Sequence, residues 1–158
     1  MSNLDSQILE TWRIHSETMR HTLDSLPEAA LQLTMSTRGG RDVSRQLAHI
    51  YNVRCMWLEV YVKKQGLTLV PFGKDESPGK PALEVAFVRS SEIMAQYVAH
   101  SLESGGKADR FKPGIVPLLG YLIAHESQHR GNIFLTMKLK GLPIPEALKW
   151  GIWDWGKL

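Results

Sequence analysis

His125 and His129 stand four residues apart in the run His125-Glu126-Ser127-Gln128-His129. On a helix, residues four apart lie one turn apart on the same face. Two imidazoles so placed can present nitrogens to one metal ion at about 2.0–2.1 Å. Leu118, Leu122 and Ile133 share the stripe, so the pair is expected where leucines would otherwise be buried. Imidazoles in a core cost free energy unless they are hydrogen-bonded or coordinated. The plain alternative is two satisfied or half-exposed histidines. His49 tips the balance, because it lies on an apolar stripe with Val53, Met56 and Val60 in a different helical segment. Three neutral imidazoles would hold a divalent cation and leave a coordination position for water or substrate. Zinc is the default, with nickel, iron or manganese as alternatives, because geometry and supply choose among them more than ligand type does.

The same run spells H-E-x-x-H, the zinc-peptidase signature in which the glutamate is the general base. Its extensions fail here. Asn132 and Leu135 occupy the positions of the metzincin glycine and third histidine, and Glu146, which follows Pro143 and Pro145, is not expected to lie on a further helix. Such peptidases also need a sheet edge, and the chain offers little strand signal. Glu126 is therefore expected to support a ligand or lie at the surface, with a role in proton transfer as the catalytic alternative. His15 is read as a core histidine or a support for the site ahead of a fourth ligand, and His21 and His100 as surface residues. Cys55 follows His49 by six residues, about 240° around a helix, so it is expected to pack elsewhere. Arg54 and Arg130 are expected to make ion pairs on helix surfaces, with an anionic substrate group as the alternative partner.

Helical periodicity must position these residues. In the first segment, near 5–24, Ile8, Trp12, His15, Met19 and Leu23 fall on one stripe, closed by Leu26-Pro27. Asp42 is a natural N-cap for a second helix near 42–64. Pro71, Gly73, Pro78 and Gly79 exclude a helix after it, and Pro81 suits the first turn of a third, near 81–102. A fourth helix is expected near 113–140, with Pro117 in its first turn and Gly141 and Pro143 ending it. The tail, 141–158, carries Trp150, Trp153 and Trp155, which are placed either to shape a pocket or to cap the bundle. The stretch between the second and third helices is long enough to matter. About fifteen residues can span about 50 Å, whereas a helix of about 23 residues is about 35 Å long. The expected fold is one all-α domain over 1–158, a four-helix bundle in up-down-down-up order with a long crossover. In that order, His49 lies about 10 Å from the start of its helix and His129 about 16 Å from the end of its own, so the three histidines can meet.

The 158 residues carry a formal net charge of +3 and a hydrophobic fraction of 43%. Basic residues are scattered, with thin clusters at Arg38, Arg41 and Arg45 and at Lys63-Lys64, which argues against nucleic acid as a partner. No apolar run approaches the roughly 20 residues of a membrane span, and the start lacks a signal pattern, so a cytoplasmic protein is expected. The single cysteine excludes an intrachain disulfide and any Cys-rich metal site.

The pairing of Leu47-Ala48-His49-Ile50-Tyr51-Asn52-Val53-Arg54 with Ala124-His125-Glu126-Ser127-Gln128-His129-Arg130-Gly131-Asn132-Ile133 resembles the DinB/YfiT-like family of metalloenzymes, the DinB superfamily. The resemblance implies a four-helix bundle with the crossover above, and metal ligands at His49, His125 and His129. It also implies a small-molecule substrate, a low-molecular-weight thiol as cosubstrate in some relatives, and a homodimer. The leading expectation is a metal-dependent enzyme, a thiol-dependent S-transferase or a hydrolase. The rivals are a non-catalytic metal- or small-molecule-binding module and, last, an HExxH peptidase.

Overall fold

The computed structural model describes residues 2–36 and 40–158. Residues 37–39, which include Arg38 of the expected basic cluster, lie outside the described residues. Four long helices dominate: α1 (Asn3–Ser25), α2 (Val43–Lys64), α3 (Lys80–Glu103) and α4 (Ile115–Leu139). A short α5 (Glu146–Trp150) follows in the tail, so Glu146, expected to lie off any further helix, in fact begins one directly after Pro145, and two 3-10 turns cover Glu28–Ala30 and Gly151–Trp153. No strand is formed among the described residues, and none of the helices is long and apolar enough to cross a membrane.

Local chemistry explains the helix ends. Ser2 and Asp5 form a capping box, with Asp5 N–H donating to Ser2 Oγ at 3.2 Å and Ser2 N–H to Asp5 Oδ2 at 2.7 Å. Asp42 caps α2 by accepting Arg45 N–H at 2.7 Å. The fourth helix starts at Ile115, two residues after the expected Pro113. The reason is Gly114, whose φ of +108° is not helical and whose backbone passes so close to Gly106 O that a Cβ would sit 2.8 Å from it. At the far end Gly141, with φ +74°, lets Leu142 N–H reach back to Met137 O at 2.9 Å.

The crossover returns along α2. Tyr51 Oη donates to Val70 O at 3.1 Å, the Asn52 side chain makes two 2.9 Å hydrogen bonds with the Phe72 backbone, and Ser44 Oγ donates to Pro78 O at 2.6 Å. Contacts between α2 and α3 then climb both helices in the same order, from Arg54 with Ser91 to Tyr61 with Tyr97. Between α2 and α4 the order is opposed, since His49 meets His129 and Trp57 meets Tyr121.

Two apolar clusters fill the bundle. One holds Met19, Leu23, Leu47, Leu83, Phe87 and Met137. The other holds Trp12, Leu58, Ile93, Tyr97, Leu118 and Leu122. The residues between them along each helix, His15, Arg54, Ser90 and Glu126, form a buried polar layer.

The expected α2 core stripe needs correction. Met56 is 45% exposed, and Val53 and Val60 are only partly buried. Packing by α3 on one side and α4 on the other turns the buried face to Leu47, Tyr51, Arg54, Leu58 and Tyr61. His49 therefore sits at the border of that face, and His125 and His129 are likewise half-buried.

Candidate metal centre

α2 contributes His49, and one turn of α4 contributes His125 and His129. The three offer ring nitrogens that all lie within 4.8 Å of one another. His125 Nε2 is 3.3 Å from His49 Nε2. Two nitrogens bound tetrahedrally at about 2.0–2.1 Å are separated by about 3.3–3.4 Å, so this pair already has the spacing of a metal shell. Ring centroids are 4.7–5.2 Å apart and the rings meet edge to face.

Burial pushes all three imidazoles toward their neutral forms. His49 is lowered to about 4 by burial, then by the charge of Arg41 and by its two partners. His125 and His129 are also lowered, mainly by burial. Neutral rings keep their lone pairs at neutral pH. Nδ1 of both His125 and His129 is buried and has no hydrogen-bond partner. At most one N–H fits between His49 and His125, so neutral rings leave polar atoms unsatisfied. A cation placed between the facing Nε2 atoms of His49 and His125 would take both of their lone pairs, with Nδ1 of His125 carrying that ring's proton. The cluster could hold a divalent cation, and its all-nitrogen donor set suits zinc, nickel or iron better than magnesium or calcium.

Two clefts flank the cluster. One, of about 410 Å³, reaches His129 between Thr34, Met35, Arg41, Gln46 and Asn132. The other, of about 320 Å³, lies beside His49 under Phe72 and Lys74 of the crossover and also includes Arg41. On the remaining side Tyr121 stacks on His125 with an interplanar angle of 17°. The loop before α2 thus borders the site, but the tail does not. It lies against α1, with the ring of His21 3.1 Å from Ala147 O and Arg13 Nη2 donating to Leu158 O at 2.8 Å. Trp150, Trp153 and Trp155 are more than half exposed and line neither cleft.

A family model described as the DinB family matches residues 1–149. The chain belongs to the DinB family. In fold, this DinB-family chain is similar to a crystal structure of a DinB-like protein from Bacillus cereus ATCC 10987. The TM-score is 0.62 at 21% identity, over 87% of this chain and 93% of that one. No curated protein matches it.

What residue-by-residue reading missed in this DinB-family chain is the layer behind the histidines. Glu126, expected to support a ligand or lie at the surface, is 1% exposed, and Arg54, expected at the surface, is 0% exposed. Arg54 grips the carboxylate with two bonds, Nε to Oε1 at 2.7 Å and Nη2 to Oε2 at 2.6 Å. Its Nη1 donates to Ser91 Oγ at 2.7 Å, and the guanidinium lies 5.0 Å and 4.9 Å from the Trp12 and Phe87 ring centres. Burial raises the Glu126 pKa, but the guanidinium, its hydrogen bonds and that of His15 outweigh it and hold the carboxyl at about 2. An ionised carboxylate only accepts, so His15 donates its Nε2–H to Oε2 at 2.9 Å. His15 supports Glu126 and is not one of the three clustered rings. Arg130 is half-buried, with Nη1 3.8 Å from Met19 Sδ, and lines neither cleft. The missed signal is visible in hindsight: Leu47, Tyr51, Arg54, Leu58 and Leu122, Glu126, Ile133 place opposite charges on core stripes of two helices.

Proposed function

We propose that the protein is a metal-dependent enzyme that uses His49, His125 and His129 to hold one divalent ion and transfers a thiol to an electrophilic small molecule. The convergence of three neutral imidazoles from two helices, beside open clefts, is the observation that carries this reading. Such an ion supplies Lewis acidity and favours the ionised form of a thiol at an open position near neutral pH. The chain's own residues bind and orient. The clefts admit a small molecule, Tyr121 presents a flat wall against His125, and burial keeps the rings unprotonated.

Transfer is preferred to hydrolysis because of Glu126. Both of its oxygens are engaged by Arg54 and His15, so it is poorly placed to take a proton from water. The same engagement counts against an HExxH peptidase, which also needs a strand to align its substrate. In this proposal Glu126 is a positioning residue: it ties the turn of α4 that carries His125 to α1 and α2.

Elemental analysis of protein purified without added metal tests the site. Close to one divalent ion per chain is expected, falling severalfold in His125→Ala and His129→Ala but not in His21→Ala or His100→Ala. Full retention in His125→Ala would remove the site. Metal-loaded protein assayed with thiols and varied electrophiles then tests turnover. Metal binding without any conjugation would favour a non-catalytic module.

A further inference from the structure

Arg41 lines both clefts that flank the imidazoles. It is exposed, and its charge reaches His49 and His129. Among the described residues no carboxylate pairs with it, although acids are close by in the chain. Those acids are already occupied. Asp42 accepts from Arg45 N and Ser77 Oγ, Asp75 accepts from Arg45 Nη2, and Glu76 accepts from Gly73 N. The cleft beside His49 also holds Lys74, Arg45, which is ion-paired with Asp75, and one acid, Glu76, and the Nε of Arg45 is buried without a partner. All three candidate metal ligands are uncharged, so they would leave the charge of a bound dication uncancelled, and Arg41 beside them has no carboxylate partner among the described residues.

We propose that the small molecule taken at the three-histidine site carries an oxyanion, a carboxylate or a phosphate, which Arg41 holds where the two clefts meet. This rests on the metal-site reading above. A guanidinium offers a planar fork of donors that matches either group. Arg54 and Arg130, the arginines on the histidine-bearing motifs, do not supply this contact, because one is consumed by Glu126 and the other lines neither cleft. The site would therefore discriminate by charge as well as by the reacting group.

The test uses cobalt(II)-loaded protein and three small thiols: 3-mercaptopropionate, neutral 2-mercaptoethanol and cationic cysteamine. Binding is read from the visible spectrum. The anionic thiol should bind tightest, by roughly fivefold or more over the neutral one, and the preference should shrink as salt is raised. Acetate or inorganic phosphate should compete, and the stronger competitor identifies the preferred oxyanion. In Arg41→Gln the preference and the competition should vanish while 2-mercaptoethanol binds as before. Arg89→Gln, on α3 and outside both clefts, should keep both. Equal binding of the three thiols by wild type overturns the proposal, as does a preference that survives Arg41→Gln or is lost equally in Arg89→Gln. Equal cobalt uptake by the variants establishes that they fold. Failure of wild type to take up cobalt at all refutes the metal site beneath the proposal, and the spectrum separates that failure from the others.

Discussion

Replacing Glu126 by glutamine changes almost no volume but removes the charge that faces Arg54. The carboxylate accepts three hydrogen bonds, two from Arg54 and one from His15. A carboxamide has one acceptor oxygen, so its NH2 group must confront at least one of those donors. The guanidinium is 0% exposed and cannot recover solvent. Breaking one side of such a buried pair costs about 3–5 kcal/mol. The depressed acidity agrees, since a fall from the ordinary 4.5 to about 2 corresponds to about 3 kcal/mol. For a domain of this size Tm should fall by about 6–20 °C. The paired replacement, Arg54→Met with Glu126→Leu, removes both charges. It leaves His15 and Ser91 without partners but no uncompensated ion, so it should cost less than the sum of the two single changes. Urea unfolding of the metal-free proteins reads all four corners of this cycle. A loss under about 1 kcal/mol in Glu126→Gln, or strict additivity of the pair, would refute the view that this layer is a tightly coupled buried ion pair.

Acid should act in two stages. The folded-state pKa values of the three histidines are depressed, so the unfolded chain takes up their protons first. Stability of the metal-free protein, intact above about pH 6.5, is then lost as pH falls toward about 4, followed by a second loss as Glu126 is protonated between 4.5 and about 2. Bound metal should survive mild acid and leave as pH approaches 4, measured by dialysis and elemental analysis. Asn52→Ala removes both hydrogen bonds to the Phe72 backbone and should cost about 1–3 kcal/mol while raising proteolysis within residues 66–79. In the tail, Leu148→Ala, at a fully buried position, should cost about 2–5 kcal/mol, whereas Trp153→Ala, at a site 68% exposed, should change unfolding by less than about 0.5 kcal/mol.

The elements were legible because their signals are local. Asp42 marks the start of α2 and Gly141 the end of α4, since a cap is a contact between residues only a few positions apart. The pairing of His125 with His129 follows from helical pitch alone. His49 was harder, because its stripe suggested deep burial. The structure places it at the border of the buried face, which is where a ring can touch both its partners and a cleft. The start of α4 was misjudged by two residues because the requirement at Gly114 comes from Gly106, across a turn.

Periodicity and capping in the sequence therefore set four helices, their lengths and the one-turn spacing of two histidines. Arg54 and Glu126 lie on apolar stripes, but tertiary structure decided that they are buried as a pair, because a charge enters a core only when its partner is already there, and that partner sits 72 positions away. It also decided that Arg41, and not the arginines within the histidine motifs, faces the clefts. Which side of a helix is covered depends on its neighbours, and no local pattern contains them.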